Sequence, residues 1–95
     1  MSNRYSSDFL RKLRNEIPID EVIINFLKLE ARKVNDILRF RCPLCDNFHT
    51  ATKDQTNLAR CFDCKVNFNP IDLVITVEKC SFVDAVEQLK KTIDK

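Results

Sequence analysis

The chain has 95 residues, which is enough for one small domain. Charged residues make up 32% and hydrophobic residues 44% of it, a balance typical of a folded globule rather than a disordered tail. No apolar run approaches the roughly 18 residues of a membrane span, which excludes an integral helical membrane protein. A core this small leaves little room for a buried catalytic cleft, so we predict no enzymatic activity and no small-molecule substrate.

The five cysteines and the absence of glycine are the unusual features of the composition. No secretory signal is recognisable, so we expect a reducing, cytoplasmic compartment, where cysteines hold a metal more often than they form disulfides. A domain with so thin a core also needs an additional source of stability. Because glycine is absent, turns that require positive φ are expected to use Asn or Asp.

Two short helices are predicted at the start of the chain, over about residues 7–24. The serines at 6–7 supply N-cap residues, and apolar side chains follow at helical spacing as far as Leu13. Pro18 marks a break before a second helix that opens at Asp20.

Two β-hairpins are predicted within the segment 26–68. In the first, residues 37–42 alternate between an apolar and a mostly charged face, and Asn35-Asp36 supplies the preceding turn. In the second, residues 49–53 and 57–61 are expected to pair across the short turn between them.

The last part of the chain, 70–93, is predicted to form two helices. Asn69-Pro70 combines an N-cap residue with proline at the first helical position, although the β-branched residues of 74–77 leave a strand open. The whole chain, 1–95, is therefore predicted to be a single α+β domain with an antiparallel sheet flanked by N- and C-terminal helices. Ser81 caps the final helix, whose apolar stripe is interpreted as core and contains Phe82, Ala85, Val86, Leu89 and Ile93.

Four of the cysteines form two CxxC pairs, Cys42 with Cys45 and Cys61 with Cys64, and fifteen residues separate the pairs. Each pair can place two thiolates on one side of a tight turn, and two such turns on neighbouring hairpins complete a tetrahedral site. The spacing is typical of a structural zinc ribbon, and four protein ligands leave no open position for catalysis. We therefore predict one structural Zn²⁺ bound by these four cysteines.

Other interpretations of the cysteines stay open at this point. An iron–sulfur cluster also uses four thiolates, and the spacing does not distinguish it from zinc. Two disulfides would require an oxidising compartment, and a thioredoxin-like redox site would use one pair at the start of a helix. His49 could replace one cysteine as a ligand, but we interpret it as a polar residue at the start of a strand. Cys80 is interpreted as a small buried hydrophobic residue.

The order and spacing of these motifs resemble the N-terminal zinc-binding domain of bacterial DnaG-type primases, from about Asp8 to Leu89. The resemblance implies a zinc-ribbon sheet flanked by helices, which binds single-stranded template DNA and helps a catalytic domain choose where a primer starts. The segments that carry it are Ile19–Ile23, Leu27–Leu29, Cys42–Cys45, Cys61–Cys64, Ile71–Val74 and Ser81–Leu89.

The sequence departs from that family in four respects, one of which is Asn67-Phe68-Asn69 in place of the family's Gly-Gly-Asp before the third helix. The family's histidine ligand is Cys45 here, which keeps the zinc chemistry and makes the site more negative. The family's Lys-Thr-Pro-Ser-Phe after the first pair is replaced by Phe48–Thr52, which removes a lysine that could contact phosphate. No primase catalytic domain follows within these 95 residues, so the module is expected to act with a separate enzyme.

The charge pattern gives modest support for DNA binding. The net charge is only +2, but residues 28–41 carry five basic and two acidic side chains. A pair of arginines on one strand face could follow a phosphate backbone, and Phe48 could stack on bases if it is exposed. The alternative to DNA binding is that these basic residues form an ordinary solvated sheet face and that Phe62 packs beside the zinc. The candidate DNA contacts are Arg39, Arg41, Arg60, Lys65, Lys53 and Phe62.

We predict a non-catalytic zinc-ribbon module that binds single-stranded DNA in replication or priming. It is expected to come from a prokaryotic replicon, phage or mobile element and to act with a separate primase, polymerase or helicase. One alternative is a zinc-stabilised adaptor that docks a replication protein through its C-terminal helices or Phe68. Another is that these residues are the N-terminal domain of a full-length primase.

Overall fold

Helices lie at both ends of the chain, and two small antiparallel sheets lie between them, in the computed structural model, which describes residues 5–93. The predicted α+β class is confirmed. Within the described residues no helix is long and apolar enough to cross a membrane. In chain order the elements are α1 (Ser7–Glu16), α2 (Ile19–Glu21) continued by a π-helical turn (Val22–Phe26), β1 (Ala31–Val34), β2 (Ile37–Phe40), β3 (Thr50–Lys53), β4 (Leu58–Cys61), β5 (Val66–Phe68), α3 (Pro70–Glu78) and α4 (Phe82–Ile93).

Polar N-caps begin α1 and α3 at the positions that the sequence predicts. The Ser6 hydroxyl accepts a hydrogen bond from the N–H of Phe9 at 3.0 Å. Asn69 accepts from the N–H of Asp72 at 2.8 Å, and the Asp72 carboxylate accepts from the N–H of Asn69 at 3.1 Å. This reciprocal capping, with Pro70 at the first position, favours a helix over 70–78 despite its β-branched residues.

The break between α1 and α2 is held by Asn57, which lies in the turn between β3 and β4. Its side-chain oxygen accepts from the N–H of Ile19 at 2.7 Å, and its amide donates to the carbonyls of Arg14 and Ile17 at 2.6 and 2.8 Å. These groups are orphaned helix-terminal donors and acceptors, so a buried polar side chain satisfies both ends of the break. The second helix begins one residue before the predicted start at Asp20.

The first predicted hairpin is confirmed as the pair β1–β2, with Val34 opposite Ile37. The two turn residues, Asn35 and Asp36, have φ of 54° and 66°. Two consecutive residues of this kind make the tight hairpin turn that matches the twist of the strands.

The second predicted hairpin is confirmed as β3–β4, with Thr50 opposite Cys61. Its sheet contains a third strand, β5, which pairs with β4 and which the sequence did not predict. That strand has three residues, too few to show an alternating pattern. It carries the chain from the second cysteine pair to α3.

The last helix, α4, is confirmed, and the Ser81 hydroxyl accepts from the N–H of Asp84 at 3.1 Å. The placement of Phe82 in the core is wrong, because this side chain is 42% exposed at the start of the helix. The side chain of Ile93 lies outside the described residues. The stripe residues that do lie in the core are Ala85, Val86 and Leu89.

The expectation that Asn and Asp fill every positive-φ turn is only half right. Three lysines among the described residues also take the left-handed conformation: Lys28, Lys65 and Lys79, with φ of 55°, 58° and 54°. For a residue with a Cβ, this conformation is unfavourable by roughly 1–2 kcal/mol. The chain therefore accepts backbone strain at turns where other proteins use glycine.

Candidate metal centre and sheet face

Each cysteine pair occupies a tight turn at the end of a strand. The first cysteine turn, Cys42–Asp46, follows β2, and the second, Cys61–Lys65, joins β4 to β5. In both turns the residue after the second cysteine is left-handed, with φ of 66° at Asp46 and 58° at Lys65. This conformation reverses the chain directly after the second cysteine of each pair.

Backbone amides point at the first sulfur of each turn. The N–H of Leu44 donates to Cys42 Sγ at 3.4 Å, and the N–H of Cys64 donates to Cys61 Sγ at 3.4 Å. Hydrogen bonds of this kind favour a thiolate over a thiol. The two turns are therefore built to hold negatively charged sulfur, the form that binds a metal.

The four sulfur atoms lie within 4.8 Å of one another. Across the turns, Cys42 and Cys64 have Sγ atoms 4.0 Å apart, and Cys45 and Cys61 have Sγ atoms 3.6 Å apart. A tetrahedral zinc with Zn–S bonds of about 2.3 Å requires sulfur atoms about 3.8 Å apart. The two sulfur–sulfur distances lie close to this value, so the donor atoms and their grouping fit a four-thiolate zinc ion.

The thiol pKa values show which cysteines resist losing a proton when no metal is bound. Burial raises the pKa of Cys42. Hydrogen bonding to the Cys45 thiol, together with burial, raises the pKa of Cys64 to about 12. At Cys61 burial acts in the same direction, but hydrogen bonds from the Cys64 N–H and the neighbouring thiols outweigh it and lower the pKa. A bound Zn²⁺ would supply the positive charge that four adjacent thiolates lack.

His49 belongs to a link between the two turns and lies outside the group of four sulfurs. Its Nδ1 lies 3.0 Å from an oxygen of Asp63, and the carbonyl of His49 accepts from the N–H of Phe62 at 2.9 Å. Asn47 donates to the other carboxylate oxygen of Asp63 at 3.1 Å. The hydrogen bond with His49 lowers the pKa of Asp63. The two cysteine turns are therefore connected by polar contacts as well as by their sulfur atoms.

Cys80 lies apart from the metal centre, between α3 and α4. It is half-buried, with Sγ 3.9 Å from the carbonyl of Val74 and 4.0 Å from Nε2 of Gln88. Burial raises its pKa, in keeping with a packing role for a thiol that is less buried than predicted. None of the five cysteines forms a disulfide.

Two hairpins that bring four cysteine sulfurs into one tetrahedral group define a zinc-ribbon protein. The family model of the CHC2 zinc finger, of the DnaG zinc-ribbon type, matches residues 5–95, and the chain belongs to this family. No curated protein matches the chain. The resemblance to the primase zinc-binding domain is thereby confirmed, and the family and the sulfur cluster together indicate one structural zinc ion.

The family defines the chain as a primase-type zinc-binding module. Membership of this family suggests a non-catalytic domain and associates the chain with DNA and with a primase. Because a zinc ribbon uses its four thiolates to fold a small domain, the metal here supplies stability that the thin core lacks.

A hollow of about 700 Å³ lies on the outer face of the sheets, and we call it the sheet hollow. Ala51, Arg60 and Asn67 follow one another directly across β3, β4 and β5 on this face. Of the lining of the sheet hollow, only the cationic and aromatic residues Lys53, Arg60 and Phe62 were predicted from the sequence. Leu58 could also have been predicted, because residues 58, 60 and 62 alternate along the chain at strand spacing, which puts Leu58 on the same face as Arg60. The lining residues that matter below are Ile37, Ala51, Leu58, Arg60, Phe62 and Asn67.

Of the six predicted DNA-contacting residues, Arg60, Phe62 and Lys53 line the sheet hollow, and a fourth, Lys65, lies in the second cysteine turn. Phe62 is 40% exposed, and the guanidinium carbon of Arg60 is 5.7 Å from the centre of its ring. Arg60 also donates to the side-chain oxygen of Asn67 at 3.1 Å. Lys53 lines the hollow and is exposed, and Lys65 is exposed in the second cysteine turn.

Arg39 and Arg41, the other two predicted contacts, have guanidinium groups already engaged within the protein. Arg39 donates to the carbonyl of Thr50 at 2.8 Å. Arg41 donates to the Glu30 carboxylate at 2.7 and 3.0 Å and to the carbonyl of Asp46 at 3.0 Å. Their role in DNA binding stays a prediction, and the structure adds that Arg41 braces the first cysteine turn and that Arg39 joins β2 to the start of β3.

Phe48 is half-buried beneath two arginine side chains. The guanidinium carbons of Arg32 and Arg41 lie 4.3 and 4.9 Å from the centre of its ring. Both distances are those of a cation–π contact. Phe62 is the more exposed of the two rings, and its centre lies 5.1 Å from that of the His49 ring.

Proposed function

We propose that the chain binds single-stranded template DNA during priming and acts with a separate replication enzyme, a primase, polymerase or helicase. It would work in the reducing cytoplasm of a prokaryote, encoded there by the replicon itself, a phage or a mobile element. The observation that supports this function best is the sheet hollow, where the exposed ring of Phe62 lies beside the guanidinium group of Arg60. The zinc ion would act by holding this face in shape.

The chemistry of the sheet face matches the two parts of a single strand. Aromatic rings such as Phe62 stack on bases and tolerate any sequence, because every base has a π-face. Arg60, Lys53 and Lys65 supply positive charge for the backbone phosphates. A duplex hides its bases in the stack, so a face of this kind favours single strands.

The number of cations sets the expected strength of the salt effect. Contacts with about three or four phosphates would give a slope of about −2 to −3 in log affinity against log salt concentration for a single strand. This slope is modest, in keeping with the net charge of +2. A more strongly basic protein would lose affinity faster as salt rises.

The test is a fluorescence-anisotropy titration of the zinc-loaded protein with single-stranded DNA at several salt concentrations. Lys65→Gly and Lys79→Gly are matched variants, because each removes one exposed lysine from a left-handed position, with φ of 58° and 54°. Lys65 lies in the second cysteine turn and Lys79 at the end of α3. We expect Lys65→Gly to weaken binding and flatten the salt slope by about 0.7 and Lys79→Gly to leave both unchanged. Equal effects of the two variants would contradict the assignment of DNA binding to the sheet hollow and the neighbouring second cysteine turn.

Arg60 is the arginine from which we expect the largest direct contribution to binding. Arg60→Gln should weaken binding and reduce the salt slope, while the protein remains folded. The same change at Arg39 or Arg41 should reduce stability as well, because each guanidinium group donates to a backbone carbonyl, that of Thr50 or of Asp46. The assignment fails if Arg60→Gln leaves affinity and salt slope at the wild-type values.

A second function, docking of a replication protein, is favoured by an aromatic cluster at the helical end. Tyr5 lies 5.7 Å from Phe9 and 6.5 Å from Phe82, measured between ring centres, and Phe82 is 42% exposed. Phe68, the other docking residue that the sequence suggested, is 4% exposed and belongs to the core, so it is excluded. If zinc-loaded, folded protein binds no single-stranded DNA, a pull-down with wild-type protein and Phe82→Ala would test this docking function.

A further inference from the structure

The sheet hollow is not only a surface on which a base could stack, because it also has the size and lining of a ligand pocket. Its volume of about 700 Å³ lies within the range of about 300–1,000 Å³ that small-molecule pockets occupy. Ala51, whose side chain is short, lines this space and lies directly opposite Arg60 on the neighbouring strand. The longer apolar side chains of Ile37, Leu58 and Phe62 stand around that space.

We propose that the sheet hollow receives one nucleobase turned out of the stack of the bound strand, an inference that rests on the proposed function. The apolar members of the lining, Ile37, Ala51, Leu58 and Phe62, include an aromatic ring, which suits the flat face of a base. Ile37 and Phe62 are each about 40% exposed, at 41% and 40%, so their apolar surface is available to a ligand. A base in this place would bury apolar area that now faces water.

The polar groups around the hollow match the edge and the backbone of such a nucleotide. Asn67 and Gln55 line it and are exposed, and an amide side chain offers both donors and acceptors to a base edge. Arg60 and Lys53 provide cations for the phosphates on either side of the base. Asp54 also lines the hollow, and its negative charge disfavours a phosphate inside it and favours the neutral ring.

The experiment uses a set of short single-stranded oligonucleotides in which each position in turn lacks its base. Affinity for the zinc-loaded protein is measured at one fixed salt concentration. We expect one position where removal of the base weakens binding about tenfold or more, and small effects elsewhere. Small and equal losses at every position would overturn the pocket while leaving salt-dependent binding, and hence the proposed function, in place. Absence of salt-sensitive binding to the intact strand would instead contradict the proposed function itself.

A double-mutant cycle assigns the sensitive position to the sheet hollow. Phe62→Ala should weaken binding of the intact strand and cause little further loss with the strand that lacks the critical base. Phe82→Ala is the matched control, since its ring is exposed to nearly the same extent, 42% against 40%. Losses from Phe62→Ala and from base removal that multiply independently would overturn the proposal.

A second variant keeps the test valid if Phe62→Ala disturbs the neighbouring cysteine turn. Ala51→Leu fills the floor of the hollow without changing any charge. It should abolish the effect of removing the critical base and leave the salt slope unchanged. Retention of the position-specific loss in a folded Ala51→Leu protein would show that the base lies elsewhere.

Discussion

The Thr50 hydroxyl is bonded to both backbone groups of Phe40, accepting from its N–H at 2.8 Å and donating to its carbonyl at 2.7 Å. Phe40 ends β2 and Thr50 begins β3, and both side chains are fully buried. One hydroxyl thus joins the two sheets where they meet. It also closes the base of the loop that contains the first cysteine turn, so the geometry of the metal centre depends on it.

Thr50→Val keeps the shape of the side chain and removes its hydroxyl. The N–H and carbonyl of Phe40 would be left buried without this partner, which should cost about 1–3 kcal/mol of unfolding free energy. Urea denaturation of the zinc-loaded protein measures this. Thr52→Val, two residues along the same strand and only half-buried, is the control and should cost less than about 0.5 kcal/mol. Equal losses from the two variants would refute the role of the hydroxyl.

Asn57 should be far less tolerant of substitution than its counterpart in the other hairpin. Asn57→Asp loses two donated hydrogen bonds and turns a carboxylate towards the carbonyls of Arg14 and Ile17, so we expect a loss of about 2 kcal/mol or more. Asn35→Asp is the control, since Asn35 has nearly the same φ, 54° against 56°, but is exposed. Denaturant midpoints compare them, and similar values for the two would contradict the bridging role.

The left-handed lysines offer a gain in stability. Lys79→Gly relieves the strained backbone after α3 and should raise the unfolding free energy by about 0.5–1 kcal/mol. Lys12→Gly, inside α1, should lower it by about 1 kcal/mol, because glycine is unfavourable within a helix. Thermal unfolding of the two zinc-loaded variants provides the comparison. A loss of stability in Lys79→Gly would mean that its side chain stabilises the α3–α4 junction.

Zinc affinity should rise with pH. The raised pKa values of Cys42 and Cys64 keep these thiols protonated near neutral pH in the metal-free protein, so zinc must displace their protons to bind. Lowering the pH therefore weakens zinc binding and removes the stability that the metal supplies. Calorimetric zinc titrations in buffers of different ionisation enthalpy should show several protons released per zinc. Binding without proton release would contradict protonated thiols in the metal-free site.

Features that depend on local sequence were predictable from it. The alternation of residues 37–42, the turn residues Asn35 and Asp36 and the spacing of the cysteine pairs each reflect contacts between near neighbours, so both hairpins and the metal centre were found. Ser6, Asn69 and Ser81 marked helix starts for the same reason, since a cap bonds to a residue three positions away.

Features that depend on distant contacts were not predictable. The bonds of Asn57 span 38 to 43 residues along the chain, and nothing near position 57 distinguishes it from an ordinary turn asparagine. The sheet hollow needs Ile37 and Asn67 on strands of different sheets, so it exists only after folding. Phe82 had helical spacing with the core, but its place at the start of α4 leaves it partly in solvent.

The most direct test of the DNA face is a nuclear magnetic resonance titration of isotope-labelled, zinc-loaded protein with a short single-stranded oligonucleotide. The amide signals of Ala51, Arg60, Phe62 and Asn67 should move most, with Lys65 beside them. The largest shifts should weaken together as salt rises. Unchanged signals on this face, or shifts confined to the aromatic cluster of Tyr5, Phe9 and Phe82, would contradict single-stranded DNA binding at the sheet hollow.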